Sequence, residues 1–247
     1  MTVFASVQHV ILLSTYFFLS GNLVLYLALH YTVSKPAMDT FKIAQFTSST
    51  IHAVLSTCLS LASQVSDGSW DVWKASRSMS FACAVSMGYF ISDVFNSMCC
   101  VYFGVSTLQQ EALNIAHHVC AVVSMFYSLT PFALSYSSSM LIWEASTIFY
   151  NSAVLVRVFV GECNLVRVCE HLFVVLFLSL RGVYGAVVCN EFLNRVIPMT
   201  QEPMLMRSCV GCPLRAPEWL PFLGVVCMCM MISLQWFWSG KLLGHLI

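Results

Sequence analysis

Apolar positions in this chain form long continuous runs. They show neither the two-residue alternation of a half-buried strand nor the one-sided stripe of a soluble helix. Residues 3–30 and 43–66 contain no Asp, Glu, Lys or Arg. Residues 78–110 contain only Asp93, 112–143 none, 171–190 only Arg181, and 219–240 none. A helix that crosses a bilayer needs roughly 20 mostly apolar residues, and Pro131 splits the fourth run in two. The pattern predicts an all-α polytopic membrane protein of about seven transmembrane helices, near 3–30, 43–65, 79–105, 112–130, 133–156, 170–190 and 219–239. Runs this long exclude a β-barrel, whose strands alternate over segments of about ten residues. The first run has no basic n-region and is longer than a signal-peptide core, so it reads as a retained helix. Residues 191–218 hold Pro198, Pro203, Pro213 and Pro217 and read as an irregular loop.

Composition agrees with this pattern. Of 247 residues, 59% are hydrophobic and 9% charged, with zero formal net charge. A soluble domain of this size carries about 25% charged residues. That excludes an ordinary cytosolic enzyme and a disordered chain, and the lack of a basic stripe argues against nucleic-acid binding. Lys74, Arg77, Arg195, Arg207 and Arg215 fall on one side of the predicted spans, and Lys35, Lys42, Arg157, Arg167 and Lys241 on the other. The positive-inside rule therefore has nothing to choose between. Most of the twelve cysteines lie within spans and act as small apolar residues. Cys209 and Cys212 form a single CxxC without the second pair a zinc site needs, so no metal or other cofactor is expected.

Polar residues inside the spans carry the functional signal. A charged side chain at the bilayer centre costs roughly 2.5–3.5 kcal/mol on insertion scales, so it faces the bundle interior and finds a partner. Asp93, Glu144 and Arg181 lie well inside apolar runs, as do His52, His117, His118 and Asn151. Ser86, Tyr89, Asp93, Asn96 and Cys100 form one helical stripe; Glu144, Thr147 and Asn151 form another. Asn114 lies one turn before His117 and His118. Four readings are open: a packing network in which Arg181 pairs with Asp93 or Glu144; a chamber that handles a lipid headgroup or acyl chain; catalysis with a histidine as general base; and, ranked last, a metal site of His52, His117, His118 and a carboxylate.

Five short segments, in order, resemble the TLC domain, which is shared by ceramide synthases, translocon-associated membrane proteins and several small membrane proteins. They are Ser49-Thr50-Ile51-His52-Ala53, Gly88-Tyr89-Phe90-Ile91-Ser92-Asp93, Ala116-His117-His118, Glu144-Ala145-Ser146-Thr147-Ile148-Phe149-Tyr150-Asn151, with Ile148 where proline is common, and Leu178-Ser179-Leu180-Arg181. The likeness is strongest to the small TLC-only proteins of about this length. It implies an N-terminal helix at 1–30 and a TLC-like domain at 41–239, with six helices around a central chamber. It also implies that His52, Tyr89, Asp93, His117, His118, Glu144, Asn151 and Arg181 line or brace that chamber.

Expected partners are membrane lipids: a sphingolipid, a phospholipid or an acyl chain. The preferred expectation is an endoplasmic-reticulum or other endomembrane protein, with the plasma membrane as the alternative location, that binds, senses or moves lipid. The alternative is a ceramide-synthase-like acyltransferase acting on a lipid amine or hydroxyl, with His117 or His118 as base and Asp93 or Glu144 orienting it. Against that, Val119 to Trp143 contains no Asp or Glu, where ceramide synthases carry an acidic cluster. A secretory-pathway cargo or chaperone role ranks third.

Overall fold

The computed structural model describes residues 2–32, 37–67, 70–74, 76–128, 132–201 and 219–244. The described residues are helical with no strand. The helices are α1 (Thr2–Thr32), α2 (Ala37–Asp67), α3 (Arg77–Tyr102), α4 (Leu108–Ser128), α5 (Leu134–Met140), α6 (Glu144–Val160), α7 (Asn164–Leu176), α8 (Gly185–Gln201) and α9 (Leu220–Gly244). A 3₁₀ turn, Leu141–Trp143, joins α5 to α6, and a π-helical stretch, Phe177–Tyr184, joins α7 to α8. The chain thus makes seven rods among the described residues: α1, α2, α3, α4, α5–α6, α7–α8 and α9.

Contacts set the direction of each rod. Gln45 of α2 meets Asp93 of α3, while His52 meets Tyr89, so these two run antiparallel. Asn114 of α4 reaches Asp93 and Ser97 while His118, one turn on, meets Phe90, again antiparallel. Arg157 near the end of α6 pairs with Glu170 in the first half of the α7–α8 rod, and Trp238 near the end of α9 meets His117 in the first half of α4. Tyr26 of α1 also meets Phe41 near the start of α2, so the ends of α1, α3, α6 and α9 share one side with the starts of α2, α4 and α7. That side is called the front here.

Val7–Tyr31, Arg77–Tyr102, Asn164–Gln201 and Leu220–Gly240 are long and apolar enough to cross a membrane by length and composition. The remaining rods are more polar because their polar residues point inward. Ser56, Ser60 and Ser63 of α2 are fully buried against the serine-rich α5. Ser60 Oγ donates to the Ser138 carbonyl at 2.5 Å, Ser63 and Ser138 share a hydroxyl hydrogen bond at 2.8 Å, and Gln64 Nε2 donates to Ser139 Oγ at 2.7 Å. Small hydroxyl side chains let helix backbones approach closely while each hydroxyl is satisfied. At the back, Ala133 N donates to the Val72 carbonyl at 2.6 Å and Val72 is buried with Phe132 and Phe192, closing that end.

One expectation needs correction. The stretch from Glu191 is not loop throughout: α8 continues to Gln201, with Pro198 inside it. Pro198 removes one intrahelical hydrogen bond, but Phe192 and Val196 are fully buried and Arg195 Nε pairs with Glu191 Oε1 at 2.6 Å across one turn. That packing outweighs one lost bond. The rest of the expected loop, with Cys209 and Cys212, lies outside the described residues.

Candidate functional site: a polar chamber between six rods

Six rods (all but α1) surround a cavity of about 330 Å³. α2 contributes Lys42, Gln45, Phe46 and Ser49; α3 contributes Tyr89 and Asp93; α4 contributes Glu111, Asn114, His117 and His118. Glu144, Thr147, Tyr150 and Asn151 come from α6, Arg181 from the π-helical stretch and Trp238 from α9. A helix rises about 1.5 Å per residue. Lys42 and Glu111 thus lie about 5–8 Å from the front ends of their helices, Asp93 and His118 about 15 Å, and Glu144 and Arg181 about 25 Å. The cavity runs inward from the front, its charged floor near mid-bundle. A further gap of about 30 Å³ continues past His117 and Glu144 among Phe90, Met125, Met140 and Met231.

The shallower polar cluster centres on Asp93. Its Oδ1 accepts from Gln45 Nε2 at 3.0 Å, and its Oδ2 accepts from Asn114 Nδ2 at 3.2 Å. His118 Nδ1 lies 2.9 Å from the same Oδ2, an ion-pair distance, although the ring N–H is not aligned for a hydrogen bond. Three helices thus converge on one buried carboxylate, which spreads its charge over donors that replace water. His117 turns the other way around α4, its ring edge-on to Trp238 at 5.2 Å between centroids. Adjacent helical residues differ by about 100° in direction, which is why the two histidines have different neighbours while both border the cavity.

The deeper cluster centres on Arg181. Its Nη2 donates to Thr147 Oγ1 at 3.0 Å and lies 3.5 Å from Glu144 Oε1. Its Nε donates to Ser146 Oγ at 3.2 Å, its Nη1 reaches Gln235 Oε1 at 3.5 Å, and its guanidinium carbon lies 5.3 Å from the Phe177 ring centroid. A bidentate arginine–carboxylate pair has two contacts of about 2.7–2.9 Å; Arg181 has none that short. The guanidinium is thus anchored by ordinary hydrogen bonds to Thr147 and Ser146, and its two contacts at 3.5 Å, to Glu144 and Gln235, are long ones that an anion can replace. The π-helical stretch widens the helix at the residue that needs to reach inward, a placement common at functional sites. Gly185 allows this rod to approach α5–α6: a β-carbon there would lie 2.8 Å from Trp143 Cζ2.

Of the residues expected to line the chamber, Tyr89, Asp93, His117, His118, Glu144, Asn151 and Arg181 border it, and His52 does not. His52 is fully buried one layer behind, stacked on Tyr89 and edge-on to Phe18 and Phe90. This separates it from His117 and His118, and among the described residues no three His, Cys, Asp or Glu side chains gather for a metal ion. The α3 stripe also divides: Tyr89 and Asp93 face the chamber, whereas Asn96 and Cys100 face a hollow beside α1. Sequence reasoning missed Lys42, Gln45, Ser49, Glu111, Tyr150 and Trp238. A signal existed for α2, since 42, 45, 49 and 52 recur at spacings of three, four and three, the period of one helix face.

Comparison with known proteins gives one family and one relative. The family model for the TLC domain matches residues 42–244. Topoisomerase I damage affected protein 4 of Saccharomyces cerevisiae is 31% identical over 136 residues, covering 55% of this chain. The match spans 45% of the yeast protein's own length. No solved structure matches.

Proposed function

Because this chain belongs to the TLC-domain family, we propose that its chamber binds the headgroup of a phosphate-bearing membrane lipid, and that the protein holds, senses or moves that lipid within endomembranes. The observation that carries this reading is Arg181, a buried cation whose nearest carboxylate oxygen is 3.5 Å away. A lipid phosphate is a better partner than Glu144 at that distance, because it can accept two parallel N–H bonds. Asp93 and Glu144 supply negative charge for an ammonium on the same headgroup, and Lys42 and Glu111 stand nearer the front. The chamber thus carries both signs, as a zwitterionic headgroup requires. The test is lipid mass spectrometry of the purified full-length protein. Wild type retains a defined phospholipid or sphingolipid class; the Asp93→Ala/His117→Ala/His118→Ala variant, folded by thermal melt, loses it. An identical lipid profile in both would reject the reading.

A second reading has one specific observation behind it. His118 Nδ1 lies 2.9 Å from Asp93 Oδ2 and borders the cavity, within reach of the Nδ1–H hydrogen bond by which a carboxylate orients a histidine base once the ring turns to align it. Acyl transfer to a lipid amine or hydroxyl would use His118 as that base. Incubation with labelled acyl-CoA and a long-chain base decides it: no product above a His117→Ala/His118→Ala control rejects catalysis.

A further inference from the structure

Helices α1 and α3 enclose a second hollow outside the chamber. They run parallel and touch where Ser14 meets Gly88. A β-carbon on Gly88 would lie 1.9 Å from Ser14 Oγ, and that hydroxyl reaches the Ala84 carbonyl at 3.4 Å. Eight residues further along each helix, about two turns, stand Asn22 and Asn96. There a wedge has opened between the helices, a crevice of about 1050 Å³. Its walls are aromatic, with Tyr16 and Tyr26 from α1, Phe41 from α2 and Phe95 and Phe103 from α3, and no charged side chain lines it. Tyr16, Phe95 and Phe103 are more than half exposed, so the crevice is open on the outer surface of the bundle, where the bilayer lies.

Two amides interrupt this apolar lining. Asn22 and Asn96 are 5% and 6% exposed, yet Asn22 Oδ1 and Asn96 Nδ2 have no hydrogen-bond partner. In hydrocarbon, an unpaired amide group is costly. One of these atoms is an acceptor and the other a donor. Both residues line the crevice, and the side-chain torsion that carries an asparagine amide is soft.

We propose that this crevice binds a sterol from the bilayer, with the sterol hydroxyl held between Asn22 and Asn96. A hydroxyl is a single group that both donates to Oδ1 and accepts from Nδ2. A phosphate or quaternary amine finds no counter-charge here, and burying it unpaired is expensive. A rigid ring system lies flat against aromatic faces and loses little conformational freedom on binding, whereas an acyl chain loses much more. The volume of about 1050 Å³ lies just above the about 300–1,000 Å³ typical of small-molecule sites. The proposal is independent of what occupies the chamber.

The test uses full-length protein in phosphatidylcholine vesicles containing a diazirine-bearing sterol with a free hydroxyl. After irradiation, labelled peptides are mapped by mass spectrometry. Label is expected on residues 16–26 and 95–103, displaced by unlabelled sterol but not by its methyl ether. The Asn22→Leu/Asn96→Leu variant is expected to label about tenfold less, the equivalent of about 1.4 kcal/mol, with its chamber lipid retained. Should that variant fail to fold, the comparison of sterol with its methyl ether on wild type decides alone. Label spread evenly over the outer faces of α8 and α9, equal labelling by a photoreactive fatty alcohol, full labelling of the double variant, or cross-linking of the crevice to a second copy of the chain would each overturn the proposal.

Discussion

His52 and Tyr89 stack face to face, their ring centroids 3.9 Å apart and their planes 8° from parallel. Tyr89 borders the chamber and His52 stands behind it, so the imidazole acts on the cavity only by holding the tyrosine ring. Neither His52 ring nitrogen has a hydrogen-bond partner. His52→Phe therefore keeps the stacked ring and removes two unpaired polar atoms. The expected outcome is an unchanged or raised melting temperature with lipid retention intact. His52→Ala is expected to cost about 3 kcal/mol, as for loss of a large buried ring. Thermal unfolding in detergent with lipid mass spectrometry separates the two, and loss of lipid in His52→Phe at wild-type stability would show that His52 touches the ligand.

Asp93 is the point where α2, α3 and α4 meet. Asp93→Leu leaves the Gln45 donor unpaired, while Asn114 keeps Ser97 Oγ at 3.3 Å, and is expected to destabilise by about 1–3 kcal/mol. Asp93→Asn keeps an acceptor for one of them and should lie between Leu and wild type. Melting temperatures of the two variants check this order.

Arg181 is held by contacts of 3.0–3.5 Å. Arg181→Gln keeps hydrogen-bonding capacity and loses the charge. If the guanidinium holds a phosphate, retention of a phosphate-bearing lipid should fall about tenfold, the equivalent of about 1.4 kcal/mol. Arg181→Lys should recover part of it, since an ammonium keeps the charge without the planar fork. Titration of delipidated protein with the identified lipid is the measurement.

Gly88 lets α1 lie against α3. Gly88→Leu is expected to separate them at a cost of about 1–3 kcal/mol, with α1 becoming accessible to protease. Ser14→Gly should restore only part of the docking to Gly88→Ala, because the backbone nitrogen of Thr15 also lies 2.8 Å from the new β-carbon. Limited proteolysis of the single and double variants reads this directly.

The legibility of the site follows its residue chemistry. Asp93, Glu144 and Arg181 could be read because a charge in an apolar run has no comfortable outward position. Lys42 and Glu111 escaped notice because they stand at span ends, where a charge is ordinary and a polar headgroup or water is near. Trp238 escaped because tryptophan in a membrane helix is unremarkable by composition. The α8 extension was hidden behind Pro198: its burial depends on Phe192 and Val196 meeting Tyr136 and the Val72 segment, contacts made from distant parts of the chain.

The amino-acid order alone determined that this is an all-helical membrane protein and which polar side chains are turned from lipid, because hydration and backbone hydrogen bonding act on each residue wherever it sits in the chain. Only the tertiary structure decided which of those side chains meet. One helix periodicity places Tyr89, Asp93, Asn96 and Cys100 on a single stripe, yet the arrangement of α1, α2 and α4 around α3 sends Tyr89 and Asp93 to the chamber and Asn96 and Cys100 to the crevice. Periodicity specifies a direction around one axis; what lies in that direction depends on how close neighbouring axes come. That closeness is set by contacts such as Gly88 against Ser14, between residues that no local pattern connects.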